Sequence, residues 1–286
     1  MNLYDRIGVD VGRRLSLEDA IAWAGEHRVR RIDIELGTAL NSLDGFDDAR
    51  AQRVREACRR HRVAFGLHTS SAVNVAELAP YVGDAVDRYL GAHVEIAPRL
   101  GAGWIIVHAG YHFGSDKAAR MAAGRERLQR VVALAETHGV PLLLENLNKE
   151  PTDAEIHYLA HTIEEWRYYF DAIRSPLFRL SFTVNHAHLV ADGVAGFVAA
   201  LDISRVAEVR LADCWRNGHE VHLKPGAGDL DFVDMFRRIE TAGFTGHYMN
   251  AFGSLDDMLD GRDELVRQAR MAGLEAAGLG TADQLG

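Results

Sequence analysis

The stretch Pro141-Leu142-Leu143-Leu144-Glu145 is a short apolar run that ends on a carboxylate. The same arrangement occurs twice earlier, where Ala64-Phe65-Gly66-Leu67 is followed by His68 and Trp104-Ile105-Ile106-Val107 by His108. Short apolar runs are typical of strands in a parallel sheet. An imidazole or a carboxylate at a strand end is a natural metal ligand or proton carrier. These stretches therefore predict parallel strands whose ends carry chemistry.

Similar runs recur along the whole chain and alternate with longer amphipathic segments, which is the pattern of repeated βα units. The predicted strands begin near Ile7, Ile32, Val63, Trp104, Leu142, Leu180, Val206 and Tyr248. Eight units in 286 residues, without a Pro/Ser-rich linker, predict a single (β/α)8 TIM barrel. We expect the barrel to span 1–277 and a flexible C-terminal tail to span 278–286. A doubly wound open sheet is the alternative.

The composition indicates a protein that binds neither membranes nor nucleic acid. The hydrophobic fraction of 48% can fill a large core, yet no run approaches the roughly 20 apolar residues of a membrane helix. The formal net charge of −9 repels phosphate polyanions. Two cysteines and the absence of an apolar amino-terminal leader indicate a reducing compartment. We expect a cytoplasmic protein with a small-molecule substrate, and the sequence leaves its oligomeric state open.

Three further predicted strands end on residues that differ from the imidazole and carboxylate pattern. These residues are Thr183, Arg210 and Asn250. A guanidinium has no lone pair to offer, so Arg210 cannot bind a cation. In a barrel the carboxyl ends of all strands meet at one mouth, so we expect the six strand-end residues to converge there. The sequence thus predicts a metalloenzyme scaffold in which part of the metal centre has been replaced.

Two later segments offer further ligands. In Thr183-Val184-Asn185-His186-Ala187-His188 we expect at least one histidine to line the mouth, and the sequence leaves open whether it is His186 or His188. In Glu220-Val221-His222-Leu223-Lys224 the first and third residues alternate as ligands on an extended chain do. The glycines that follow allow the backbone to approach a ligand closely. Asp213, after the seventh predicted strand, is expected to orient a histidine.

Other histidines have simpler interpretations. His157 and His161 are four residues apart, but Tyr158 stands where a zinc protease has a glutamate. We expect this segment to form a lid over the mouth. His27, His61 and His138 fall at predicted helix ends, where an imidazolium complements the helix dipole.

These motifs together resemble the xylose isomerase-like superfamily of barrels, which includes sugar phosphate isomerases and epimerases and endonuclease IV-type nucleases. The resemblance spans most of the chain. Its carriers are His68-Thr69-Ser70 with Asn74-Val75-Ala76, Val107-His108-Ala109-Gly110-Tyr111-His112, Glu145-Asn146, His186-Ala187, and Glu220-Val221-His222-Leu223 before Gly226-Ala227-Gly228. These motifs are specific for the superfamily and not for a substrate.

In the sugar-acting members, the resemblance implies one divalent metal held by Glu, Asp, His and Glu at the ends of strands five to eight. Glu145 matches the first ligand, and Thr183 or Asn185 replaces the aspartate. Arg210 replaces the histidine and Asn250 the second glutamate. Because the two glutamates are the acid/base pair of the epimerases, Asn250 argues against two-base epimerisation.

The nuclease-type members use two additional ligand groups, and this chain matches those better. His68, His108 and Glu145 correspond to one group, and His186, Glu220 and His222 to the other. The resemblance therefore implies zinc or manganese at either group, with a metal-free protein as the alternative. It does not imply a nuclease, because the net charge is acidic and the chain has no Lys/Arg-rich loop for phosphates.

Arg210 suggests a specific role. A guanidinium where relatives hold a metal could supply positive charge and stabilise an enediolate or carboxylate oxyanion. The alternative is that Arg210 forms a salt bridge with Glu145 or Asp213 and locks an inactive mouth. If Arg210 supplies the positive charge in this way, we expect enzymatic activity that does not depend on a metal.

We expect an isomerase- or epimerase-like enzyme, or a related lyase, that acts on a small polyhydroxylated or keto-acid substrate. The expected catalytic residues are Glu145 as base, with His108, His186, Arg210 and Asn250. Expected substrate contacts are His68, Asn146, Thr183, Asn185, His188, Asp213 and Lys224. A non-catalytic ligand-binding relative is the first alternative, and a nuclease-type phosphoesterase is the second.

Overall fold

The computed structural model describes residues 3–274, in which eight parallel strands close into a barrel with the spatial order β1-β10-β9-β8-β6-β4-β3-β2. The barrel strands are β1 Ile7–Gly12, β2 Arg31–Glu35, β3 Ala64–His68, β4 Trp104–Val107, β6 Leu142–Glu145, β8 Phe178–Thr183, β9 Val206–Leu211 and β10 His247–Asn250. The short strands β5 Tyr111–His112 and β7 His157–Tyr158 pair antiparallel outside it. Because β1 pairs with both β10 and β2, the predicted closed barrel is confirmed and the open sheet is wrong.

Helices surround the barrel and separate its strands. They are α1 Leu3–Arg6, α2 Leu17–Glu26, α3 Asp48–His61, α4 Pro80–Leu100, α5 Lys117–His138, α6 Ile163–Ala172, α7 Val184–His188, α8 Gly193–Ala200, α9 Phe232–Thr241 and α10 Leu255–Met271. Among residues 3–274, no helix is both long and apolar enough to cross a membrane. The predicted tail at 278–286 lies outside the described residues, so the domain boundaries stay a prediction.

Side chains along each strand alternate between the barrel interior and the surrounding helices. In β9, Val209 and Leu211 pack in the core between strands and helices. Glu208 and Arg210 alternate with them, and Arg210 reaches across the barrel interior to Asp33 of β2. Trp104, Ile106, Leu143 and Met249 form a separate apolar cluster inside the barrel. This alternation decides which strand-end residues reach the mouth.

The segment after β8 is helical. Thr183 ends β8, and Val184–His188 form α7 directly afterwards. Consecutive helical residues are about 100° apart, so residues two positions apart point in nearly opposite directions. The side chains of His186 and His188 therefore point in different directions. On a continuing strand they would have shared a face, and in a loop their spacing would not have fixed their directions.

Gly66 provides a test of the packing inside the barrel. A Cβ at Gly66 would lie 1.9 Å from the indole nitrogen of Trp104. Because that indole is buried and donates to Asp33, we expect Gly66→Ala to lower the free energy of unfolding by about 1–3 kcal/mol or more through overpacking.

Gly91→Ala in α4 is the matched control, because its Cβ would meet nothing closer than 3.8 Å. Replacing a helical glycine by alanine should stabilise by about 0.5–1 kcal/mol. Urea denaturation measures both variants, and equal stabilities would contradict the close packing of Trp104 on Gly66.

Candidate functional site

A cleft of about 290 Å³ opens at the carboxyl ends of the barrel strands. Its lining residues are Asp10, His68, Ser71, His108, Glu145, Leu147, Asn148, Glu150, Tyr158, His186, Arg210, Glu220 and His222. All six predicted ligand residues and Arg210 are among them. The fold therefore brings segments that are far apart in the chain to one site, as their strand-end positions predict.

The first ligand group contains His68, His108 and Glu145. The Nε2 atoms of the two histidines are 3.2 Å apart. Glu145 Oε2 lies 3.2 Å from His108 Nε2 and 3.3 Å from His68 Nε2. Three ligand atoms bound to one zinc ion at about 2.0–2.2 Å in a tetrahedral arrangement would be roughly 3.3–3.6 Å apart. The donor set and its spacing fit a divalent metal such as zinc.

The remaining nitrogen of each imidazole in this group faces another acceptor. The Thr69 hydroxyl donates to the Ile106 carbonyl at 2.9 Å, so its oxygen is free to accept from His108 Nδ1 at 3.5 Å. Nδ1 of His68 lies 3.9 Å from Asp10 Oδ2. These contacts leave both Nε2 atoms directed towards Glu145, as metal-binding histidines require.

The second ligand group contains His186, Glu220 and His222. Glu220 Oε1 is 2.7 Å from His222 Nε2 and 3.7 Å from His186 Nε2. His186 Nδ1 donates to the Asn146 carbonyl at 2.7 Å, and His222 Nδ1 donates to the Ala251 carbonyl. Both backbone contacts fix the tautomer and direct the Nε2 atoms towards Glu220, so this group also fits a metal.

The same contacts make His222 and Glu220 an acid–base pair when no metal is bound. Burial opposes the imidazolium form of His222, but the hydrogen bond and charge of Glu220 outweigh it, so the pKa of His222 is raised. Hydrogen bonds from His186 and His222 hold the pKa of Glu220 well below its usual range. Both side chains are about one-third exposed at the cleft, where a ligand can reach them.

Arg210 lines the same cleft as both groups and is surrounded by four carboxylates. Its Nη1 is 2.5 Å from Asp33 Oδ2 and 3.2 Å from Glu208 Oε1. Its Nη2 pairs with Asp10, and its Nε is 3.6 Å from Glu145 Oε1. Of the two salt-bridge partners expected from the sequence, Glu145 is close and Asp213 is not among the contacts of this guanidinium.

Glu145 stays ionised despite its burial. Burial alone would raise its pKa, but the charge of Arg210 and the hydrogen bonds of His108 and His68 lower it well below the ordinary value. Thr183 Oγ1 donates to Glu145 Oε1 at 2.6 Å. Such a stabilised carboxylate is a weak base, and it is available as a ligand because it carries no proton that a metal must displace.

Asn250 does not face the cleft, contrary to the expectation for a strand-end residue. Its side-chain amide donates to the Met258 carbonyl of α10 at 3.0 Å. Strand alternation is the physical reason, because His247 and Met249 of β10 point into the barrel and Asn250 points out.

Several predicted substrate contacts support loops instead. Asn146 exchanges hydrogen bonds with the backbone of Thr183, and Asn185 donates to the Val221 carbonyl. Asp213 accepts from the backbone of Gly226, Gly228 and Leu230 at 2.8–3.1 Å, so it orders the Gly-rich loop and orients no histidine.

His188 and Lys224 also lie outside the cleft lining. His188 Nε2 is 2.8 Å from Asp229 Oδ1, and the Lys224 ammonium is 3.7 Å from Asp260. His186 is therefore the histidine of α7 that faces the cleft, because the helix turns His188 away from it.

The carboxylates beneath Arg210 are functional candidates that the strand-end motifs do not reveal. Asp10, Asp33 and Glu208 occupy inward strand positions, and all three contact Arg210. Each is a single carboxylate between apolar neighbours, as in Val9-Asp10-Val11. That isolated charge in an apolar strand is the signal that could have identified them.

The predicted lid forms part of the cleft wall. Tyr158 of β7 lines the cleft, and β7 pairs with β5. Below it, buried Glu165 lies 2.5 Å from Lys117 Nζ and 3.0 Å from His161 Nδ1. This ion-paired cluster holds the segment against α5 and α6.

The fold and the cleft define a (β/α)8 barrel protein that presents histidines and carboxylates at the carboxyl ends of its strands. Residues 31–279 match the family described as Xylose isomerase-like TIM barrel. The chain therefore belongs to this family, which confirms the resemblance inferred from its motifs.

Solved structures share the fold over nearly their whole length. A D-tagatose 3-epimerase-like protein has a TM-score of 0.80 at 20% identity, covering 95% of this chain and 99% of the other. An L-ribulose 3-epimerase has a TM-score of 0.77 at 14% identity, covering 100% of both. D-psicose 3-epimerase from Clostridium cellulolyticum H10 has a TM-score of 0.72 at 16% identity, covering 96% and 99%. At these identities the similarity shows the fold alone.

A curated relative is an uncharacterized protein of Methanocaldococcus jannaschii, which is 24% identical over 192 residues. The match covers 65% of this chain and 64% of the relative, so the chain spans less than two thirds of that protein's length.

Glu165 should make the protein sensitive to acid. Burial opposes its ionisation, but His161 and Lys117 outweigh burial and lower its pKa from 4.5 to about 2. The ionised Glu165 therefore adds to the free energy of unfolding above about pH 4.5, and this stabilisation is lost as the pH falls towards 2. We expect Glu165→Gln to lower the free energy of unfolding by about 3 kcal/mol at pH 7.

Between pH 7 and pH 4 this difference from the wild type should shrink by about 1 kcal/mol. Exposed Glu164→Gln is the control and should change stability by less than about 0.5 kcal/mol at either pH. Urea titrations at the two pH values measure both variants, and a difference for Glu165→Gln that grows towards pH 4 would contradict the ion pairing.

Proposed function

We propose that this protein is a sugar isomerase- or epimerase-like enzyme that moves protons on a small polyhydroxylated or keto-acid substrate, with an altered metal centre. The observation that carries the proposal is the buried Arg210 beside Glu145 in a cleft that also contains two imidazole–carboxylate groups. Family membership and the epimerase names of the structural neighbours support the substrate class.

The charge around Arg210 supports cation binding at the flanking groups. Burial and the charge of Glu208 raise the pKa of Asp33 well above its ordinary value. Hydrogen bonds and the charge of Arg210 lower the pKa of Glu145 and of Glu208, so two ionised carboxylates face one guanidinium. The centre as a whole is therefore negative. Arg210 then fills the middle of the site and holds Glu145 in place, while His68, His108 and Glu145 would hold a zinc or manganese ion.

A metal at that group would polarise a carbonyl or hydroxyl oxygen of the substrate as a Lewis acid. Glu145, the base expected from the sequence, has the contacts of a ligand because Arg210, Thr183 and the imidazoles all stabilise its anion. We assign proton transfer to the His222–Glu220 pair on the other side of the cleft. The hydrogen bond and the charge of Glu220 raise the pKa of His222, which favours the protonated form that a general acid needs.

One acid–base group matches a proton shuttle between adjacent carbons. The pair would remove the proton from the hydroxyl-bearing carbon beside the substrate carbonyl and, from the resulting enediolate, deliver it to the former carbonyl carbon. The hydroxyl proton would pass from the first oxygen to the second, so that the carbonyl moves by one carbon. A two-base inversion would need a second base on the opposite face, and Asn250 is turned to α10. Isomerisation by one base is therefore the form of the reaction that these contacts favour.

The first test is metal content, measured by elemental mass spectrometry on protein purified without a polyhistidine tag. We expect near-stoichiometric zinc or manganese in the wild type. His68→Ala and Glu145→Gln should lower the affinity by more than the roughly 10–100-fold that loss of an orienting partner costs. Glu150→Gln, which removes a cleft carboxylate outside both groups, should retain the metal. Wild-type protein that takes up no zinc or manganese would contradict the proposed site.

The second test is solvent deuterium exchange, because it detects proton transfer whichever product forms. Aldoses, ketoses and keto acids are incubated with the protein in D2O, and mass spectrometry detects deuterium beside the carbonyl. We expect exchange with at least one substrate, slowed about 10²–10⁴-fold in His222→Ala. His138→Ala, at the exposed end of α5, should exchange normally.

Other outcomes discriminate between the alternatives. Exchange that survives chelation and is lost in Arg210→Met would assign the cationic role to Arg210. Thermal stabilisation by a sugar without any exchange would indicate a non-catalytic ligand-binding relative. Zinc-dependent cleavage of DNA with abasic sites would favour the phosphoesterase.

A further inference from the structure

A second cavity of about 440 Å³ lies beside the cleft, and we call it the side pocket. Residues 149–152, 189–191 and 216–219 line it. These segments follow β6, α7 and β9, so the side pocket opens on the same face of the barrel as the cleft.

The side pocket and the cleft share a wall. Glu150 lines both, and the cleft residues Asn148 and Glu220 adjoin the side-pocket residues Lys149 and His219 in the chain. Asn148 Nδ2 donates to Glu150 Oε1 at 2.6 Å and holds this carboxylate in the wall. A ligand longer than one sugar ring could therefore reach from the cleft into the side pocket.

The two cavities differ in charge. The cleft lining includes four carboxylates, from Asp10, Glu145, Glu150 and Glu220, beside the buried Arg210. The side pocket has Lys149, Arg216 and His219, with Glu150 as its single carboxylate. The cationic side chains of Lys149 and Arg216 form no ion pair with any carboxylate of residues 3–274. Arg216 also borders a cavity that contains Asp192, Asp231 and Asp234. In a chain of net charge −9, Lys149 and Arg216 on the side-pocket face nevertheless make the side pocket a local attraction for anions.

Arg216 is ordered without being neutralised. Its Nη2 donates to the Ala191 carbonyl at 2.8 Å, and its backbone N–H donates to Asp229 Oδ1 at 3.0 Å. Asp229 also pairs with His188, so this predicted substrate residue contributes to the position of Arg216. A Cβ at Gly193 would lie 2.9 Å from Arg216 Nη1, so the glycine lets the guanidinium approach the backbone closely.

We propose that the side pocket binds a negatively charged substituent of the substrate, a carboxylate or a phosphate, while the uncharged polyhydroxylated part occupies the cleft. This inference rests on the proposed function for the identity of the ligand in the cleft. Lys149 and Arg216 are then specificity residues that contact the substrate away from its reacting carbons. Planar or tetrahedral anions suit the fork of a guanidinium and the point charge of an ammonium.

The test is calorimetric binding of matched ligand triads. Each triad contains a neutral ketose, its phosphate ester and its carboxylate counterpart, built on three-, five- and six-carbon skeletons. We expect the wild type to bind one anionic member at least about tenfold more tightly than the neutral one, as one charge-assisted contact provides. The preferred anion distinguishes a phosphate from a carboxylate.

The double variant Lys149→Gln/Arg216→Gln should bind anionic and neutral members equally. Arg59→Gln/Arg60→Gln on exposed α3 removes the same net charge and should keep the preference. The proposal is overturned if no triad shows a preference in the wild type, or if both double variants lose it equally.

Binding and exchange separate the two proposals. Anion preference without deuterium exchange would keep the side pocket and reject the enzyme. Deuterium exchange with equal binding of all triad members would keep the enzyme and reject the side pocket. Inorganic phosphate alone, bound equally by the wild type and both variants, would show that any phosphate preference is nonspecific and would also reject the side pocket.

Discussion

The buried ion cluster around Arg210 is the interaction on which the rest of the site depends. Arg210 of β9 contacts Asp10 of β1, Asp33 of β2 and Glu145 of β6, so one side chain connects strands across the barrel. A buried charge that loses its partner typically costs about 3–5 kcal/mol, so these residues depend on one another. Further donors complete the cluster, since Trp104 donates to Asp33 and Ser181 to Glu208.

The cluster determines what the flanking groups can do. Glu145 uses one oxygen for Thr183 and Arg210 and the other for His68 and His108, which orients the carboxylate and keeps it charged. Its geometry suits a ligand more than a base. The proposed proton transfer is therefore assigned to side chains that are closer to solvent, and His222 with Glu220 meets that condition.

Much of this arrangement could be predicted from apolar runs and the residues that end them. The parallel strands, the closed barrel and the convergence of His68, His108 and Glu145 follow from where those runs stop. Asn250 could not be placed by that rule, because strand alternation and not strand length decides which side a residue faces. The sequence could not decide between His186 and His188 as the cleft residue, because the answer depends on the short helix α7, which the motif alone does not predict.

A guanidinium and a divalent ion differ in more than charge. An ion has open coordination positions that substrate oxygens can occupy, whereas the Arg210 donors are already directed at carboxylates of the barrel interior. An arginine at the position where the family resemblance implies a metal therefore offers no open coordination position to a substrate oxygen, while the carboxylates around it remain. Under the proposed function a cation would bind beside the guanidinium, where the Nε2 atoms of His68 and His108 lie 3.3 and 3.2 Å from Glu145 Oε2.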